Sequence, residues 1–97
     1  MNIVAVTACP TGIAHTYMAA EKLEQTAKKL GHTILVETQG AMGIENELTE
    51  ADIAKADVAI IATDIVVEKA SRFDKVRKIE VPVRQVLKDP MGIFSRI

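Results

Sequence analysis

The chain has 97 residues, enough for one core and too few for two domains of ordinary size. Lys and Arg number 12 against 13 Asp and Glu, for a net charge of −1, and only Tyr17, Phe73 and Phe94 are aromatic. That balance excludes a basic field for polyanions and a base-stacking platform, so no nucleic-acid partner is expected.

Asn2 to Val6 is a largely β-branched run of the kind that makes a strand buried on both faces. From Ile13, apolar residues at Tyr17, Ala20, Leu23, Ala27 and Leu30 follow at spacings of three and four and predict a helix, with Gly31 as its C′ residue. Met18 is expected in its core. Thr33 to Thr38 reads as a second strand, and Gln39 to Gly43 as a glycine-punctuated loop. Thr49, before Glu50, Ala51 and Asp52, has the form of an N-cap.

Val58 to Ala62 is the most apolar strand, and Ile65 to Phe73 predicts one or two helical turns. Lys78 to Val81 predicts a fourth strand, and Val83 to Lys88 a final helix with Pro82 near its start, stopped by Asp89-Pro90. Residues 91–97 have no partner in the pattern and read as a C-terminal tail or linker after a domain spanning residues 1–90. The basic residues Lys69, Arg72, Lys75, Arg77 and Lys78 read as a solvated face, with partner docking as the second reading.

Strands alternating with helices predict an α/β fold: an open, four-stranded, mainly parallel sheet of order 2-1-3-4 with helices on both faces, a Rossmann-like or flavodoxin-like three-layer sandwich. Ligands of such sheets sit beyond the carboxyl ends of the strands, where the strand order reverses. Cys9, the only cysteine, falls there. One cysteine rules out an internal disulfide and fits a reducing, cytoplasmic setting.

A thiol between a strand and a helix lies where unpaired N–H groups and the helix dipole favour negative charge. Gly12 allows close backbone approach, Thr11 and Thr16 offer hydroxyls, and the amides of residues 11–15 are placed to cradle a phosphoryl group on sulfur. Gly12 stands where a Cys-x-x-Cys pair needs its second thiol, and neither a dinucleotide fingerprint nor a nucleotide P-loop is present. His15 stands where a phosphatase-like loop places its forked Arg, which favours relaying a phosphoryl group over hydrolysing it. A thiol phosphatase or arsenate-reductase-like enzyme is the alternative. With only His15 and His32 in the chain, no histidine metal site is expected, and no cofactor.

The segments TACPTGIAHTYMAAEKL and VETQGAMGIENELTEADIAKAD, with the later Ser71-Arg72-Phe73, resemble the IIB component of the fructose branch of bacterial phosphoenolpyruvate-dependent sugar phosphotransferase systems. The likeness runs from about Asn2 to Phe73. It implies that Cys9 accepts a phosphoryl group from a phosphohistidine on a IIA component and passes it to a sugar, fructose or a related hexose, bound by the membrane-embedded IIC component. It also implies that Pro10, Thr11, Gly12, Ile13, Ala14 and His15 form the phosphate loop, and that the domain works at the inner face of the membrane through IIC. Gln39, Gly40 and Met42 are the expected docking lip for IIA or IIC.

Overall fold

The β-branched run at the start forms β1 (Asn2–Ala8), which continues two residues past its most apolar stretch. β2 (Thr33–Gly40) and β4 (Val58–Thr63) flank it in parallel, and β5 (Lys78–Val81) adds in parallel to β4. The four parallel strands therefore stand in the expected order, with β1 inside. The computed structural model describes residues 1–9, 13–40 and 43–97.

A fifth strand, β3 (Gly43–Glu45), pairs antiparallel with the end of β2, giving the order β3-β2-β1-β4-β5 among the described residues. Of Gln39 to Gly43, expected as a loop, Gln39 and Gly40 end β2 and Gly43 starts β3, while residues 41 and 42 lie outside the described residues. The ladder to β3 carries β2 through Gln39 and Gly40, and the Gln39 side chain is buried.

Helix α1 (Ile13–Lys29) covers one face of the sheet through Thr16, Ala19, Ala20, Leu23, Thr26 and Ala27. Ala20, Leu23 and Ala27 face inward as expected, whereas Tyr17, Met18 and Leu30 are exposed. Hydropathy counting favours the large side chains, but close packing of a helix on a sheet selects the small Thr16, Ala19 and Thr26. At its end the His32 amide donates to Ala27 O (2.8 Å) and the Gly31 amide to Lys28 O (3.2 Å), with Gly31 at φ +81°. This is a Schellman closure, and it is why a glycine stands there.

The opposite face is covered by α2 (Glu50–Ala54) and the 3-10 turn Ala70–Phe73, which bury Ile53 and Phe73 against Val4, Val6, Ala59 and Ile61. Thr49 caps α2 as expected: its hydroxyl accepts from the Asp52 amide at 3.1 Å, and the Asp52 carboxylate accepts from the Thr49 amide at 2.9 Å. Thr49→Ala is expected to cost about 1 kcal/mol, seen as a lower urea midpoint with an unchanged slope.

Helix α3 (Val83–Lys88) packs beside α1, and a further short helix, α4 (Pro90–Phe94), follows it. Residues 91–97 are therefore not a tail outside the packing, because Ile93 and Phe94 are buried in the core on the α1 face. Asp89-Pro90 does stop α3, but the same pair starts a helix: Asp89 accepts from the Gly92 amide at 3.0 Å and Pro90 stands in the first turn. His32 is half-buried and stacks on Phe94 with ring centroids 6.0 Å apart.

Candidate active site

Period-two alternation along β1 sends Val4 and Val6 to the α2 side, and Ile3, Ala5 and Cys9 to the α1 side. In register, Ala8 lies between Gln39 of β2 and Thr63 of β4, so three strand ends line up at one edge. Cys9 follows directly after the central strand, 7% exposed, and α1 begins four positions later at Ile13. The Asp64 amide donates to Ala8 O at 3.1 Å and its carboxylate accepts from the Val83 amide at 3.1 Å, which fixes the β4 side of this edge to α3.

The first turn of α1 holds no acidic residue, while Lys28 and Lys29 close its last turn. Its positive end is thus left open toward the cysteine loop. Thr7 donates its hydroxyl to Thr16 O at 3.1 Å, locking that first turn onto β1. Thr38 lies beside Thr7 in register, and among the described residues the buried hydroxyls of Thr16 and Thr38 have no hydrogen-bond partner. Gly40 is next to this pair: a Cβ added there would stand 3.9 Å from the Thr16 hydroxyl. Two buried donors beneath a helix N-terminus are groups that an oxyanion can satisfy.

Of the expected phosphate loop, Ile13 begins α1, and Ala14 and His15 follow in its first turn with exposed side chains. Pro10, Thr11 and Gly12 lie outside the described residues, as does Met42 of the docking lip. Gly40 is exposed beside Cys9, whereas Gln39 turns inward. Tyr17 donates its hydroxyl to the Glu45 carboxylate, joining α1 to β3 near this edge.

A cavity of about 310 Å³ opens on Cys9, with Gln39, Gly40 and Gly43 on the β2–β3 side and Ile65, Val66 and Glu68 opposite. Val66 is 90% exposed and Ile65 43%, so the outer rim is apolar. A larger cavity of about 580 Å³ runs past the ends of β4 and β5 beside Asp64, Glu80 and Arg84. Its lining does not include the thiol.

Behind this cavity lies a charged centre that residue spacing does not announce. Glu37 of β2 is buried and meets Arg72 in a fork, Nη1 to Oε1 at 2.8 Å and Nη2 to Oε2 at 3.0 Å. The carboxylate also accepts from the Leu48 amide at 2.9 Å and from Gln39 Nε2 at 2.6 Å. Arg72 stacks over Phe73, 4.9 Å from the ring centre. It is therefore a half-buried ion-pair partner rather than a member of a solvated basic face; Lys69, paired with Glu47 at 2.8 Å, does lie at the surface.

Burial alone pushes the Glu37 carboxyl up, but the bonds from Arg72, Gln39 and Leu48 and the charge of Arg72 outweigh it and hold the group below its ordinary value. A lowered folded-state value stabilises the fold above the ordinary carboxylate range, and that stability is lost as pH falls through the folded value. Thermal unfolding followed from neutral to acid pH should therefore fall more steeply in the wild type than in Glu37→Gln.

Comparison with known proteins shows the family. A family model described as "PTS system, Lactose/Cellobiose specific IIB subunit" matches residues 4–96. The "PTS system fructose-like EIIB component 2" of Escherichia coli (strain K12) is 48% identical over 99% of this chain and 91% of its own length. The "Fructose-like PTS system EIIBC component" of the same organism is 50% identical, but this chain spans only 20% of its length. Among solved structures, a domain of the fructose-specific IIABC component of Borrelia burgdorferi superposes with a TM-score of 0.92 at 48% identity, covering 97% of this chain and 89% of that one. A five-stranded α/β sheet with a cysteine at the end of its central strand, matched almost end to end by these relatives, places the chain in the family of phosphotransferase-system IIB subunits, of the fructose-like kind.

Proposed function

We propose that Cys9 carries the phosphoryl group between a IIA phosphohistidine and a sugar bound by a IIC component. One observation carries the reading. The thiol stands at the end of the central strand and opens on a cavity, against a helix N-terminus with no acid in its first turn.

In the first transfer the sulfur attacks phosphorus in line, the S–P bond forms as the N–P bond to the donor imidazole breaks, and the thiol proton ends on that nitrogen. In the second, a sugar hydroxyl attacks phosphorus, the O–P bond forms as S–P breaks, and the hydroxyl proton returns to sulfur. Charge on the phosphoryl oxygens is met by the N-terminal amides of α1, with the hydroxyls of Thr16 and Thr38 beneath. Residues 10–15 serve as the phosphate loop. The exposed ring of His15 adds a donor at the mouth.

Gly40 and Met42, with the apolar rim at Ile65 and Val66, form the lip that partners meet. A relative named as an EIIBC component supports a C-component partner, within one chain or as a separate one. No helix among the described residues is long and apolar enough to cross a membrane. In this reading the domain works at the cytoplasmic face through IIC. The sugar is fructose or a related hexose.

The test is reconstitution. Membranes bearing the matched IIC, a phosphorylated IIA and this chain should phosphorylate fructose or a related hexose, and omitting this chain should stop the reaction. Steady turnover of p-nitrophenyl phosphate by the chain alone, lost with Cys9, would instead identify a thiol phosphatase.

A further inference from the structure

The wall of the cysteine cavity opposite β2 and β3 is an irregular segment, and it is held by side chains rather than by a strand. Gln39 clamps the main chain of Glu68 from both sides: the Glu68 amide donates to Gln39 Oε1 at 2.8 Å, and Gln39 Nε2 donates to Glu68 O at 3.1 Å. Arg72 grips the next peptide, donating from Nε to Lys69 O at 2.8 Å and from Nη2 to Glu68 O at 3.3 Å. Both side chains are themselves fixed on Glu37.

The segment needs such a grip. Lys69 has φ +58°, a left-handed conformation that a side chain with a Cβ adopts only at a cost. Ile65 and Val66 are exposed, and Val67 is the one buried side chain of residues 65–69, packed in the core on the α2 face. Glu37, Gln39 and Arg72 thus do more than neutralise one another: every remaining donor they have is spent on the backbone of residues 68 and 69, or on Leu48.

We propose that Glu37, Gln39 and Arg72 form a positioning unit that holds residues 65–69 as a preformed entrance to the Cys9 cavity. Their described hydrogen bonds run to one another, to Leu48 and to the main chain of residues 68 and 69. Their effect falls on how readily the phosphorylated donor reaches the sulfur, because a wall already in place removes the ordering that docking would otherwise require. The inference rests on Cys9 as the phosphoryl acceptor for its kinetic consequence, but not for its structural one.

The experiment uses Gln39→Met, which keeps length and apolar volume and removes both bonds to Glu68. If that variant does not show the wild-type circular dichroism, Arg72→Lys replaces it, since it keeps the charge opposite Glu37 and loses the grip on Lys69 O. Two readouts are taken on the folded variant: the rate at which iodoacetamide alkylates Cys9, and KM and kcat with the phosphorylated donor. Alkylation should quicken about tenfold, and KM should rise about tenfold with a much smaller change in kcat. Unchanged alkylation and unchanged KM in a folded variant would overturn the proposal. If the wild type accepts no phosphate at all, the proposed function fails, and the alkylation rate alone still decides for or against the wall.

Discussion

Replacing Cys9 by alanine is expected to lower sugar phosphorylation by at least about a thousandfold, because a covalent relay without its nucleophile has no alternative route. The fold should survive. The residue lost is small, stands past the end of β1 and contributes only part of the α1-side core, so stability should fall by about 1 kcal/mol. Circular dichroism and a urea titration on the same preparation separate the two effects. Residual activity within tenfold of wild type would mean that the phosphoryl group travels by another residue.

Removing Arg72 should have the largest effect on stability. Arg72→Ala strips the fork from a carboxylate that is fully buried, leaving an uncompensated charge. Breaking such a pair from one side costs about 3–5 kcal/mol. For a chain of this length that corresponds to a melting temperature lower by on the order of 15 °C or more. The double replacement Glu37→Leu with Arg72→Met should be far milder, because it removes both charges and leaves apolar volume in their place. A double variant no more stable than Arg72→Ala would show that lost packing, not the orphaned carboxylate, sets the cost.

The fold and the place of the thiol were legible because both follow from local patterns. β-branched runs, a three-four helix stripe and a capping residue fix the parallel strands, and strand order then puts Cys9 at the reversal point. Glu37 was not legible. It stands in an otherwise ordinary strand, and its partner Arg72 lies 35 residues away among other basic residues that do face solvent. Gln39 looked like loop chemistry beside a glycine, yet its amide serves as a substitute strand edge for Glu68. Asp89-Pro90 carries the signature of both a stop and a start, and only the burial of Ile93 and Phe94 shows that it is both.

The candidate site divides along the same line. Cys9, the helix start at Ile13 and the neighbouring Gly40 follow from topology. The hydroxyl of Thr38 and the wall at Ile65, Val66 and Glu68 arise from tertiary contacts, which residue spacing does not encode.

The most direct test of the account is the intact mass of the chain after incubation with the phosphorylated upstream proteins, followed by peptide mapping under conditions that preserve S–P bonds. A gain of one phosphate, localised to Cys9 and absent in Cys9→Ala, is expected. A phosphate on any other residue, or the same gain in Cys9→Ala, would contradict it.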